Sequence, residues 1–399
     1  MVRGAPGPRQ RPVARLAIAA VVALIVIAAI VAATRVRDSA PEPAGAATLE
    51  DCAQIADRAE MRDCYTAAML DELRPVRDPT AVLARIDRDV NRIGEYPAAN
   101  CHTLMHTVGR RYAALRDVTL PTLMDHLPRS NDPGCAAGFA HGMITAIAPA
   151  VLRAGPGVDA VCSRAATRFQ RYSCTHGLGH AYMRFHAEAL EPALKLCRAL
   201  GPTAAPDCAQ GAYHDYWLAI AGADETTRPA GATTDPRALC ERQPSEFVRA
   251  CWYRAFIDTR PAGYQTQSAD DLLRTCAGTS GLQRAGCITA ASVIGSPNPL
   301  RQMRVCAHAQ LAADDALACV RGVKVQNLVG TPAINQLRVI DRCAWFSGRV
   351  ASGCYEWLGK VLAVITDGRF ATSGCSQVAR PESCRRGARS FNGPLVTFS

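Results

Sequence analysis

From residue 51 onward the chain is a succession of short amphipathic runs, with apolar residues recurring every three or four positions and breaks rich in Gly, Pro and Asp. That interval is the period of an α-helix. Leu190 to Leu196 is one such run, Gly201-Pro202 and Pro206-Asp207 supply turn residues, and Cys208 to Ile220 is the next run. Pro79 to Ile93 and Thr107 to Leu115 predict further helices, the second followed by Pro121 and Pro128. The alternation that marks half-buried strands is scarce, and a short apolar stretch such as Val361 to Ile365 fits a helix in this setting. The pattern predicts an all-α fold.

Cysteine places these helices in pairs. Sixteen of the eighteen cysteines form close couples: Cys52/Cys64, Cys162/Cys174, Cys197/Cys208, Cys240/Cys251, Cys276/Cys287, Cys306/Cys319, Cys343/Cys354 and Cys375/Cys384. Cys101 and Cys135 remain to pair with each other. The first cysteine of a couple ends one helical run and the second opens the next, so a bridge clips two antiparallel helices beside their loop. Units start about thirty to forty residues apart, a spacing typical of stacked helical hairpins. The expected architecture is a disulfide-clipped repeat, either an α-solenoid or a closed α/α toroid. Zinc-type Cys-x-x-Cys pairs are absent.

Within this frame the histidines fall in register. Counting from Cys174, His176 is at plus two, Gly177 at plus three and His180 at plus six. Cys135 has Gly138 and His141 at plus three and plus six, and Cys208 has Gly211 and His214 at the same places. Upstream, His102 and His106 keep the four-residue gap, with Cys101 one residue closer. Residues three or four apart share a helix face, so four successive units direct imidazoles the same way. The glycine at plus three also recurs as Gly322 and Gly387, and its cost to the helix points to close approach of a neighbour. The later units hold Ile257, Val293, Val325 and Lys360 at plus six, so the stripe belongs to the N-terminal half.

Neutral imidazole is the commonest metal-binding side chain, and a histidine set suits zinc, copper or iron. His102, His106, His141, His176, His180 and His214 are the candidate ligands. Packed helices lie roughly 8–10 Å apart, so four inner helices in an open stack span about 30 Å; a shared site requires the hairpins to curl. Asp215 and Tyr182 are the weak catalytic candidates, Asp215 as general base or as the acceptor that orients an imidazole. His126, His186 and His308 lie outside the frame and read as structural or surface residues.

Residues 1–37 carry six arginines and no acid, so much of the net charge of +10 sits there. No dense basic run with interleaved aromatics appears, which argues against a nucleic-acid partner. Leu16 to Ala33 is continuously apolar and follows Arg3, Arg9, Arg11 and Arg15, the pattern of a single span with its N-terminus in the cytoplasm. A cleaved signal peptide is the alternative. The resulting organisation is a basic N-terminus (1–15), a membrane anchor (16–34), a stalk (35–50), a cysteine-rich helical-repeat domain outside the cytoplasm (51–391) and a tail (392–399). The cysteines, all beyond the apolar run, fit an oxidising compartment. Two functional readings follow: a histidine-liganded transition-metal protein, whether enzyme, store or sensor, acting on a small molecule; or a cell-envelope scaffold that binds another protein while its histidines only pack.

Overall fold

The computed structural model describes residues 47–390, apart from 130–133, 155–157, 188, 222–227, 229–230, 260–267, 296–297 and 329–331. The basic N-terminus, the anchor, most of the stalk and the tail expected from the sequence lie outside the described residues. Among the described residues no single helix is long and apolar enough to cross a membrane. All regular structure among them is helical.

Ten helices form the spine: α1 (Arg58–Leu73), α2 (Glu95–Leu115), α3 (Cys135–Ala146), α4 (Arg168–Phe185), α5 (Ala205–Ile220), α6 (Val248–Asp258), α7 (Gly281–Ile294), α8 (Ala313–Arg321), α9 (Gly348–Ile365) and α10 (Pro381–Arg389). Each packs on the next in chain order. Shorter helices precede them, among them Leu49–Cys52, Leu190–Ala199, Pro236–Cys240 and Pro299–Cys306. The first of these is capped by the Thr48 side chain and begins inside the stretch expected to be stalk. The helix expected over Thr107 to Leu115 is the last part of α2, which starts twelve residues earlier at Glu95.

All nine disulfides join the cysteines that the spacing paired. Eight are local, with sequence separations from 9 (Cys375–Cys384) to 13 (Cys306–Cys319). The ninth, Cys101–Cys135, differs in kind: its separation is 34, and it fastens α2 directly to α3 at the level of the histidines. Nine bridges and no free cysteine among the described residues point to an oxidising environment outside the cytoplasm.

Two apolar cores run through the spine, one from Leu49 to Ala255 and one from Ala269 to Ala388. Both pack against the half-buried Phe256 of α6, and α9 also returns against α4. There Val364 packs with Ala137 of α3 and Phe169 of α4, with the half-buried Tyr172 beside them. Burial pushes the Lys360 ammonium of α9 down to about 8, and the charges of the buried Arg168–Asp207 ion pair, 2.9 Å between Nη2 and Oδ2, also act on it. The late helices therefore reach back to those that carry the histidines.

Candidate metal centre

The histidine-bearing helices approach one another more closely than side chains ordinarily allow. A Cβ added at Gly138 would collide with the carbonyl oxygen of His102, and one at Gly142 with that of His106. A Cβ at Gly211 would meet the carbonyl oxygen of His176. Glycine on one helix thus seats the backbone of a histidine on the helix before it at α2–α3 and at α4–α5, whereas at α3–α4 a Cβ on Gly177 would meet the Ile144 side chain first. This close approach accounts for the recurring glycine at plus three, three residues before the next imidazole.

The result is one cluster of six imidazoles. Ring centroids lie 4.9 Å apart for His102–His106 and for His106–His180, 4.7 Å for His141–His176 and 5.0 Å for His176–His180. His214 joins at 5.4 Å from His180 and 6.2 Å from His102. The outermost helices, α2 and α5, therefore bring rings within about 6 Å of each other, against the 30 Å an open stack implies. His141, His176 and His180 are 2%, 1% and 1% exposed. Two triads, His102/His106/His141 and His141/His176/His180, each offer ligand atoms within 4.8 Å of one another, and His141 belongs to both.

Outer partners orient the rings. His180 Nδ1 lies 2.7 Å from Asp215 Oδ1. The carboxylate only accepts, so Nδ1 carries the proton and Nε2 presents its lone pair; that Nε2 is buried with no hydrogen-bond partner in the protein. His102 Nδ1 lies 3.2 Å from the carbonyl oxygen of Gly134, which likewise leaves its Nε2 as an acceptor, 3.2 Å from Nε2 of His106. Two imidazoles bound to one ion at about 2.0–2.1 Å place their nitrogens roughly 3–3.4 Å apart, so this separation already suits a shared ion. His214 Nδ1 has Asp258 Oδ2 and Arg254 Nη1 each at 3.0 Å. The guanidinium can only donate, so Nδ1 of His214 accepts from Arg254 and Nε2 carries the ring proton, which must leave before that nitrogen can ligate. Tyr172 donates to Gln210 Oε1 at 2.6 Å and makes a long 3.5 Å contact with His176 Nδ1. Carboxylates and carbonyls that hold the far nitrogen of an imidazole are the usual outer partners of histidine metal ligands.

His141 is the exception. Both of its ring nitrogens are buried and neither has a protein hydrogen-bond partner. Leaving such an atom unsatisfied costs about 1–3 kcal/mol, and buried orphan polar groups at one focus mark a place where a cation or water belongs. Burial pushes His106, His141, His176 and His214 well below the ordinary imidazole range, and neighbouring imidazoles add to the effect. These four rings are therefore neutral near pH 7, the form that binds metal.

The cluster is one layer of three along the inner helix faces. A turn earlier stand Ala137, Tyr172 and Gln210, and Val364 of α9 packs against this layer at Ala137. A turn later stand Arg110, Thr145, Arg184 and Leu218, each four residues after a histidine, and all four line a cavity of about 250 Å³ that His106, His180 and Asp215 also line.

Of the residues expected from the sequence, all six histidines converge and Asp215 meets His180. Tyr182 is buried in the apolar core and does not line the cavity. Outside the cluster, His126 bonds Tyr112 Oη at 3.2 Å, His186 stacks edge-on beside Phe185, and His308 accepts from the amide of Gln310. Sequence reasoning missed Arg254, Asp258, Tyr172 and Gln210. Arg254 occupies the plus-three place that glycine holds in earlier units and has Asp258 one turn on; that exchange, at the first unit without a histidine, is the signal that marks them.

Comparison of the chain with protein-family models, curated proteins and solved structures finds no match. Fold and site together define an all-helical, disulfide-bonded protein with a buried histidine cluster able to hold a metal ion.

Proposed function

We propose that the six-histidine cluster is a transition-metal centre, taking zinc, copper or iron, in a repeat of disulfide-clipped helical hairpins that curls back on itself behind an N-terminal membrane anchor. The observation that carries the reading is His141, whose two buried nitrogens lack protein partners at the junction of two ligand triads. An all-nitrogen donor set suits these three metals and offers little to calcium or magnesium. The cavity beside His106 and His180 gives a reagent access to the ion from one side, which favours a metal-dependent enzyme over a store. The anchor is supported by the arginine-flanked apolar run at 16–33, and the compartment outside the cytoplasm by the bridges.

Equilibrium dialysis of untagged protein against zinc, copper and ferrous iron tests the centre. We expect stoichiometric binding to the parent, an affinity at least about tenfold lower for His180→Ala, and no change for His308→Ala. Non-reducing peptide mapping and circular dichroism establish that the variants keep their bridges and helices. A folded parent that stays metal-free with all three ions refutes the proposal and leaves the scaffold reading.

A further inference from the structure

The layer next to the histidines has a chemistry of its own. His102, His106 and Arg110 follow one another at four-residue intervals on α2, and His176, His180 and Arg184 repeat the series on α4. A four-residue step advances about one helical turn along the same face, so each guanidinium stands one level above an imidazole. Arg62 of α1 is the third arginine on the cavity wall. Asp215 is the one carboxylate among the described lining residues, and one of its oxygens is already held by His180. Thr103 and Arg184 are exposed and mark the solvent side, whereas His106 and His180 form the buried side. Leu104, Leu218 and Tyr96 supply apolar wall between the two ends.

From this arrangement we infer that the cavity binds a small organic oxyanion, a carboxylate or a phosphate ester. The arginines engage its charged end and its body lies over the His106–His180 edge of the cluster. Guanidinium remains charged at every physiological pH and matches the planar oxygens of a carboxylate or phosphate with paired donors. Arg62 is already ion-paired with Asp63 at 3.3 Å; Arg110 and Arg184 against the one engaged carboxylate still leave the cavity a net positive charge, which selects anions over neutral molecules of the same shape. A volume of about 250 Å³ admits a molecule of metabolite size and no macromolecule. The inference names the substrate class of the proposed metal centre and rests on that reading for any chemistry. The anion site itself stands on the arginines.

Isothermal titration of the full chain, both metal-loaded and metal-stripped, with glutarate, phenyl phosphate and the neutral glutaramide tests it. The expected result is saturable binding of at least one of the two anions, with glutaramide at least about tenfold weaker. Whichever anion binds more tightly identifies the substrate as carboxylate or phosphate ester. Arg110→Gln and Arg184→Gln should each weaken that anion about tenfold, whereas Arg301→Gln, on a distant helix, should change nothing. Failure of both anions to bind, equal binding of glutaramide, or indifference to both cavity substitutions overturns the inference. If the stripped protein binds the anion with this arginine dependence while no metal is retained under any condition, the anion site stands and the metal reading falls. If metal binds and no anion does, only the anion site falls.

Discussion

A neutral imidazole brings one donor and one acceptor, and at His141 neither finds a partner in the protein. The other rings direct their polar contacts outward: Asp215 and the Gly134 carbonyl take Nδ1 of His180 and His102 and leave Nε2 for the interior, while Arg254 donates to Nδ1 of His214. Asp215→Asn keeps the size but weakens the acceptor and permits the opposite tautomer. We expect metal affinity to fall about 10–100-fold with the helical spectrum unchanged; an unchanged affinity would show that this contact is only structural. Protonation should act in the same direction. Because the folded protein holds His106, His141, His176 and His214 below their unfolded range, protons bind preferentially to the unfolded chain. The stability they contribute is complete above about pH 6.5 and is lost as pH falls further. The urea midpoint of metal-free protein should therefore decline on acidification below that value; a flat midpoint from pH 7.5 to 5 would contradict neutral burial.

At the scale of the helix, glycine rather than histidine sets the site's dimensions. Gly142 faces the carbonyl of His106 with no room for a methyl group. Gly142→Ala should move α2 and α3 apart where the His102/His106/His141 triad draws its ligands, costing about 1–3 kcal/mol by overpacking and lowering metal affinity, although Cys101–Cys135 stays closed. Gly94 is the control: its φ of 169° is extended backbone and nothing lies within reach of an added Cβ, so Gly94→Ala should change stability by no more than about 0.5 kcal/mol. Chemical denaturation of the two variants separates close approach from the general cost of a substitution. The periodic parts of these elements were legible in the sequence. Cysteine, glycine and histidine recur at fixed offsets, so disulfide partners and imidazole faces could be read without knowing the fold. The start of α2 was not legible, because Pro97 and Asn100 obscure its first turns.

At the scale of the molecule, legibility ends where contacts become long-range. Val364 packing on the layer below the histidines and Arg254 reaching His214 across 40 residues are set by the curl of the whole spine, which no local pattern encodes. The curl also turns a stripe, spread over 30 Å in an open stack, into one centre. X-ray absorption at the edge of the bound metal, on untagged and stoichiometrically loaded protein, tests that convergence most directly. The account predicts a first shell containing several nitrogens at about 2.0–2.1 Å, with the outer-shell scattering of imidazole rings, and loss of part of that scattering in His141→Ala. A shell of sulfur, or of oxygen without imidazole scattering, would contradict it.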